Sequence, residues 1–470
     1  MKVTAIFGGP GTGKTTKLAE LFCEAIKKYG VDQVAFVSYT KSQVGRDKTA
    51  ARKMAKVKAK KLKKFKTLHS LSKQVYEEET EVFDEEHIDR MSVYLGKDMG
   101  AVMRGIDYMR NVESGNDAVG ANKAGMQVEE FQKYKYFYDQ VKGGLSNSAK
   151  KTVDFSDMIY DAVDRRYKVD VKIAFVDECQ DLSPLQWKAI YTFFRDVDEL
   201  VVAGDPNQAL YRFSGGVSNY MLYMRTDETI ILDKSYRCPE NIMLMAERVW
   251  VKIKDKAALP SPCGEGGFAV FYPDFNIRES FLGPLRNCAQ KGKKVLVLAN
   301  TYYQLKNMKD RLFGDRNYPH SFRSGKCKYR YKGPANPIVF STVHQAKGLE
   351  ADYVLYDAAG GQTGGHTDFG HQTERWDDYW RMAYTAITRA RKGLIICELS
   401  RPRAGEPTCL DLLYYAKYGF DEYRKWLFLK PFSQSNNKTV DKNQKIKYTK
   451  NVARVAPESS VPRLLPQTFR

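Results

Sequence analysis

Short apolar, β-branched runs recur at residues 3–7, 34–38, 172–176, 199–203, 294–298 and 393–397, and helix-like periodic segments follow many of them. The runs predict strands and the periodic segments predict helices, the alternation of an α/β protein with parallel sheets. Residues 77–150 break that rhythm. They are polar, punctuated by glycine and free of strand-like runs, and they predict a helical insertion. A second interruption, rich in Lys, Pro and Gly, covers residues 252–267. Beyond Pro431 large apolar residues become sparse and Ser, Asn, Lys and Pro take over, which predicts a disordered tail over 431–470. No apolar stretch is long enough to cross a bilayer as a helix.

Composition adds a polyanionic partner to this picture. The chain of 470 residues carries 76 Lys and Arg against 56 Asp and Glu, a formal net charge of +20. Hydrophobic residues make up 43%, enough for buried cores and too many for a wholly disordered chain. Charge alone leaves both nucleic acid and an anionic membrane surface open. The N-terminus runs from Met1 straight into a strand-like segment with no secretory signal pattern, which predicts a cytoplasmic protein. Eight cysteines are scattered without a CxxC pair, the usage of a reducing compartment rather than of a disulfide framework or a zinc site.

The first strand runs into Gly8, Gly9, Pro10, Gly11, Thr12, Gly13, Lys14 and Thr15, followed by Thr16 and an amphipathic segment to about Tyr29. This is GxxxxGK[ST] in the strand-loop-helix context that phosphate binding needs. Glycines let backbone N–H groups converge on phosphate oxygens, Lys14 reaches the β and γ phosphates, and Thr15 offers its hydroxyl to Mg2+. The plain alternative, a Gly-rich turn without a ligand, fits the context poorly. A later strand, KIAFVDECQD, ends in Asp177 and Glu178. Beside a P-loop, such a pair suits Mg2+ binding by Asp177 and polarisation of the attacking water by Glu178.

At these residues a family resemblance emerges. DECQDLSPLQ and VVAGDPNQALYRFSGG resemble motifs of UvrD-like superfamily 1 helicases, and further motifs follow in the family's order. They are FVSYTKSQ, KTLHSLS, DFSDMI, LDKSYRCPENI, STVHQAKGLEADYV and MAYTAITRARKGL, together spanning residues 3 to about 398. The resemblance implies two RecA-like motor domains with parallel sheets, ATP and Mg2+ as cofactors, and movement along DNA from 3′ to 5′. It implies that Arg237 and Arg389 reach the γ-phosphate from either side of an interdomain cleft and that Gln208 senses that phosphate. It also implies that Tyr236 stacks on the nucleotide base and that Glu350 holds the ribose. On the strand side, Tyr39 and Phe213 sit where the family's stacking aromatics sit, with Arg212, His69 and His344 as backbone or base contacts. The commoner fate of such aromatics in an α/β protein is burial in the core. The family's upstream Gln, which reads the adenine edge, has no counterpart before Val3, so weakened discrimination among nucleotides is expected.

The stretch RKMAKVKAKKLKKFK, Arg52 to Lys66, carries nine basic residues and no acid. Met54, Val57, Leu62 and Phe65 recur at roughly helical spacing, which predicts a helix with a cationic stripe that tracks phosphates, against the alternative of a solvated face. The expected organisation is a first motor domain over 1–233 with the helical insertion 77–150, and a second over 234–430 with a reduced insertion at about 251–278. Expected partners are single-stranded DNA and single/double-strand junctions, more than RNA, with no membrane, and replication or repair proteins besides. The protein would then be cytoplasmic or nucleoid-associated, or in a host cytoplasm if viral, as the compact size suggests. Two other functions stay open: a strand-stimulated translocase with little unwinding activity, and a P-loop nucleic-acid-binding module without catalysis.

Overall fold

The computed structural model describes residues 1–76, 79–145, 150–272, 278–314, 318–325, 327–333, 336–359 and 372–398. The tail expected beyond residue 430 lies outside these. The first half begins with β1 (Lys2–Gly8), α1 (Lys14–Tyr29), β2 (Val34–Ser38), α2 (Lys41–Ala55), β3 (Phe65–Thr67) and α3 (Leu68–Ser72). A helical unit follows, built from β4 (Glu79–Val82), α4 (Glu85–Leu95), α5 (Met99–Asn111), α6 (Asp117–Ala124), α7 (Val128–Leu145) and β5 (Lys150–Val153). The chain then returns through α8 (Phe155–Asp164), β6 (Ile173–Val176), α9 (Pro184–Phe193), β7 (Glu199–Gly204), α10 (Ser218–Tyr223) and β8 (Glu228–Leu232). The second half carries α11 (Glu240–Trp250), β9 (Phe268–Tyr272), α12 (Gly283–Gln290), β10 (Val295–Ala299), α13 (Tyr302–Phe313), β11 (His320–Arg323) and β12 (Lys328–Tyr329). It closes with β13 (Ile338–Thr342), β14 (Ala351–Asp357), α14 (Gln372–Ile387) and β15 (Ala390–Cys397).

Two sheets result. The first has the order β3-β2-β6-β7-β1-β8 and is parallel throughout; the second has the order β12-β11-β13-β10-β14-β15-β9, parallel except for β12. The strands VAFVS, IAFV and VLVLA are buried along their whole length, as a parallel sheet covered by helices on both faces requires. Helix α1 turns Leu18, Ala19, Phe22 and Ala25 onto the sheet, and Phe22 packs edge-on against Phe65 and Phe175. In both sheets the C-terminal ends of the strands lead into the motif-bearing loops, where ligands of open α/β sheets bind.

Three expectations change. The inserted segment is helical in α4–α7, but it is not free of strands, because β4 pairs in parallel with β5 at its root. The interruption expected at 251–278 contains β9, an edge strand of the second sheet, so only the residues between Trp250 and Phe268 form the connection. The basic run 52–66 is not one helix. Helix α2 ends at Ala55, Lys56 turns the chain in a left-handed conformation, and Phe65 begins β3. Of the apolar residues that looked like one helix, Met54 is exposed in the last turn of α2, Leu62 is buried in the connection and Phe65 is buried in β3.

Candidate nucleotide and strand sites

The phosphate loop joins β1, an inner strand of the first sheet, to α1. Gly11 and Gly13 adopt φ of 70° and 88°, conformations that glycine takes without steric cost. A Cβ on Gly8 would fall 2.5 Å from Thr12 Oγ1, and one on Gly11 would fall on the Arg237 side chain. Only a bare backbone closes this cradle. Thr12 Oγ1 donates to Gly9 O at 3.0 Å, Lys14 Nζ donates to the carbonyls of Gly8 and Gly9, and Thr15 and Thr16 are exposed at the start of α1. The opposite wall comes from the chain between the sheets: Ser235 Oγ donates to Pro10 O at 2.8 Å and Tyr236 N donates to Gly11 O at 2.8 Å. The Tyr236 ring is 67% exposed beside the loop.

Asp177 and Glu178 follow β6. Asp177 is buried, and burial together with the neighbouring carboxylates of Asp47 and Glu178 raises its pKa well above the usual range. Uncompensated negative charge of this kind is what a divalent cation relieves. Among the described residues no group of three or more His, Cys, Asp or Glu could hold a metal. One carboxylate and one hydroxyl beside phosphates are the donor set that Mg2+ accepts, so Thr15 and Asp177 fit the ion. Burial alone would raise the Glu178 carboxyl, but Lys347 and Lys14 outweigh it and hold the pKa at about 2, with Gln180 Nε2 donating to Oε2 at 2.6 Å.

The second sheet brings its own cations to the same place. Arg389, 2% exposed at the end of α14, donates from Nε to Thr385 O at 3.0 Å and from Nη2 to Gln208 Oε1. Burial and then the nearby Arg237 push its pKa down to about 9, which leaves it charged at neutral pH. Arg237 donates from Nε to Glu350 Oε2 at 2.9 Å, and Glu350 Oε1 accepts from Arg391 at 2.7 Å. Glu350 thus stands beside the nucleotide loop as an ion-pair partner of two arginines. Gln208 Nε2 in turn donates to the buried Asp205 at 2.6 Å. All six residues expected to be catalytic therefore meet around one loop.

The expected strand residues divide. Tyr39 is half-buried and lies 4.8 Å from Tyr211, centroid to centroid; Phe213 is 46% exposed, 5.9 Å from Tyr211 and 5.6 Å edge-on to His344. His344 Nε2 donates to Leu210 O at 3.2 Å, and burial depresses its pKa to about 4, so it is neutral. His69, likewise held near 4 by burial, packs edge-on to Phe155 at 5.4 Å. Arg212 does not join them as a free cation. Its guanidinium is ion-paired with Asp377 and, at 3.4 Å, with Asp378, both on α14. Arg381, which is fully buried, donates to Asp377 and to the carbonyls of Pro206 and Lys254 beside that pair.

Sequence reasoning missed several members. Lys347 is buried and ion-pairs with Glu178 at 3.1 Å and with Asp181, tying the second sheet to the carboxylates of the first. Tyr211, inside ALYRF, completes the aromatic cluster. Arg46 of α2 lies against Gly348, where a Cβ would fall on its guanidinium, and it repels Arg323 together with Arg330. None of these three arginines makes an ion pair with a carboxylate of the described residues. Lys64 of the basic run lies elsewhere: Nζ donates to the carbonyls of Asp32 and Asp170, at the N-terminal ends of β2 and β6 and away from the motif loops.

Two domain families match the chain. The UvrD/REP helicase N-terminal domain matches residues 1–229, and the UvrD-like helicase C-terminal domain matches residues 325–401. The chain belongs to the UvrD/Rep helicase family. It is 28% identical over 282 residues to DNA helicase IV of Escherichia coli, a match covering 53% of this chain and 37% of that protein. It is 23% identical over 297 residues to a probable DNA helicase II homolog of Mycoplasma pneumoniae, covering 55% and 41%. ATP-dependent DNA helicase PcrA of Leuconostoc citreum matches 204 residues at 26% identity, covering 39% and 27%. The matched part spans about two fifths or less of these relatives. Motifs far apart in sequence thus converge: Gly11 lies against Arg237, Lys14 faces Asp177 and Glu178, and Gln208 meets Arg389.

Proposed function

We propose that this UvrD-like chain is an ATP-dependent motor that moves along single-stranded DNA, 3′ to 5′, and separates duplex that it meets. One observation carries the reading. The segment from Gln208 to Phe213 bears the phosphate sensor at one end and the exposed stacking ring at the other, and each end contacts the second sheet, through Arg389 and through His344. A change in how the second sheet meets the nucleotide would therefore be felt at the strand within six residues of chain.

ATP would lie between the phosphate loop and the two arginines. Mg2+ bound by Thr15 and Asp177 supplies charge neutralisation at the phosphates. Lys14, Arg237 and Arg389 bring fixed positive charge to the transferring phosphoryl group, and burial makes that charge count more than it would in water. Glu178, held ionised, orients the attacking water. The strand would run over Tyr39, Tyr211 and Phe213, whose rings stack bases without reading them, while Arg46, Arg323 and Arg330 meet its phosphates. Arg212 is assigned to holding the two sheets together. We assign the first motor half to residues 1–233 and the second to 234–430, since β8 ends at Leu232 and α11 packs on α14 and β15.

The short connection between Trp250 and Phe268 favours a second reading, translocation with little unwinding, because the family's duplex-contacting insertion belongs there. Unwinding of duplexes with 3′ or 5′ single-stranded tails separates the two. Preferential opening of 3′-tailed duplex supports the first, ATP turnover with strand but no opening supports the second, and preferential opening of 5′-tailed duplex contradicts the polarity.

A further inference from the structure

Behind Tyr39 a cavity of about 160 Å³ opens between the first sheet and the helical unit. Tyr39, His69 and Phe155 supply aromatic walls, and Asp107, Asn111 and Gln186 supply a polar one. Two carboxylates line it: Asp181 of the motor core, which is committed to Lys347 and to Leu210 N, and Asp107, which projects from α5 of the helical unit. Ser156 Oγ donates to Asp107 Oδ1 at 2.8 Å, and its other oxygen has no partner among the described residues. Burial, then the neighbouring Asp154, raises the Asp107 pKa to about 7, against the opposing pull of Ser156 and Arg110; Asp157 adds to the rise. Lys142, facing the same group of carboxylates, is committed to Asp154 and Asp157. Asp107 is thus a carboxyl short of donors. Asn111 Oδ1 accepts from Ser183 Oγ at 3.0 Å and Gln186 Oε1 accepts from Ser183 N at 3.0 Å, which leaves both amide NH2 groups without a partner among the described residues.

We propose that this cavity accepts one base of the bound strand and selects guanine, with Asp107 as the specificity-determining residue. The proposal rests on the strand reading above. An acceptor carboxylate flanked by amide donors matches one Watson–Crick edge among the four bases. Guanine offers adjacent N1–H and N2–H donors to Asp107 and O6 to the amides. Adenine and cytosine present a single amino group beside a ring acceptor, and thymine flanks its lone N3–H with carbonyls that a carboxylate repels. The aromatic walls stack any base, so selectivity resides in the polar wall alone. A good bidentate pair discriminates by about tenfold or more in affinity. Asp107 also gives the helical unit a direct part in gripping the strand.

The test is equilibrium binding, without nucleotide, of thymidine oligonucleotides carrying one central guanine, inosine, adenine or cytosine. Wild type is expected to bind the guanine strand about tenfold more tightly than all-thymidine, with inosine intermediate because it lacks the N2 amino group. Asp107→Asn should abolish the preference, binding guanine and all-thymidine strands with equal affinity. Equal affinity of wild type for guanine and thymine strands overturns the proposal while leaving the strand groove standing, and the wild-type series needs no variant to fold. A guanine preference that survives in Asp107→Asn overturns the assignment to Asp107. Failure to bind any oligonucleotide overturns the strand reading itself.

Discussion

Gln208 Oε1 accepts a hydrogen bond from Arg389 Nη2, joining the loop after β7 to the end of α14. A buried glutamine from one sheet and a buried arginine from the other thus meet at one place, where the proposed function puts the γ-phosphate. Replacing Arg389 by Ala should reduce ATP turnover by about 10³-fold or more, the scale of an arginine finger, with a much smaller change in nucleotide affinity. Steady-state turnover beside nucleotide binding makes the comparison. A loss confined to affinity would mean that Arg389 serves the ground state.

Lys347 is the buried cation between Glu178 and Asp181. Lys347→Met leaves the buried Asp181 carboxylate without its cation and weakens the hold on the partly buried Glu178, and should cost about 3–5 kcal/mol of stability. Adding Asp181→Asn should recover part of that loss, since it removes one of the unpaired charges. Denaturant unfolding of the single and double variants measures both, and equal stability of wild type and Lys347→Met would contradict the pairing.

The strand site gives a prediction with two arms. Phe213→Ala should weaken single-strand binding by about 1–3 kcal/mol through lost stacking. Replacing Arg46, Arg323 and Arg330 should lower the salt dependence of binding by about 0.7 in log-log slope for each phosphate no longer neutralised. Neutralising Lys60, Lys61, Lys63 and Lys64 should leave that slope near wild type, because Lys64 marks the edge of the sheet remote from the aromatic cluster. A slope that falls only in the lysine variant would move the phosphate track to that edge.

The contrast between these two cationic groups marks what the sequence could reveal. The P-loop and Asp177-Glu178 were legible because their spacing along the chain is dictated by local strand-loop-helix geometry, whereas Gln208, Arg237 and Arg389 came only from the resemblance of their motifs to the family's. The strands VAFVS, IAFV and VLVLA were legible because burial on both faces makes them continuously apolar. The run 52–66 misled as to its helix, and charge density along a chain says nothing about which edge of a sheet the residues reach. Arg46, Arg323 and Arg330 lie far apart in sequence and form a group only through the meeting of two sheets. The same holds for Lys347 with Asp181. Arg212 carries the family position, yet two α14 carboxylates claim it, and no local pattern announces such a pairing. The strand β8 was missed for another reason: at the sheet edge its burial is partial and its apolar signal weak.

His344 supplies a pH dependence. Its folded pKa, about 4, lies below the ordinary value of 6.5 because burial disfavours the imidazolium. The unfolded chain therefore binds the proton first, and the contribution of neutral His344 to stability is present above about pH 6.5 and is lost as pH falls toward 4. The difference in melting temperature between wild type and His344→Gln should shrink across that window. A difference that stays constant from pH 7 to about pH 4.5 would mean that the histidine is charged or solvated in the folded protein.

The most direct measurement of the motor reading is the rate of ATP hydrolysis as single-stranded DNA is titrated in. The rate should rise with strand concentration and saturate, and Phe213→Ala should shift the rise to higher strand concentration. Lys14→Ala should hydrolyse nothing at any strand concentration while still binding the strand. Turnover that is the same with and without DNA, or that persists in Lys14→Ala, would contradict a nucleotide cleft coupled to a strand groove through Gln208 to Phe213.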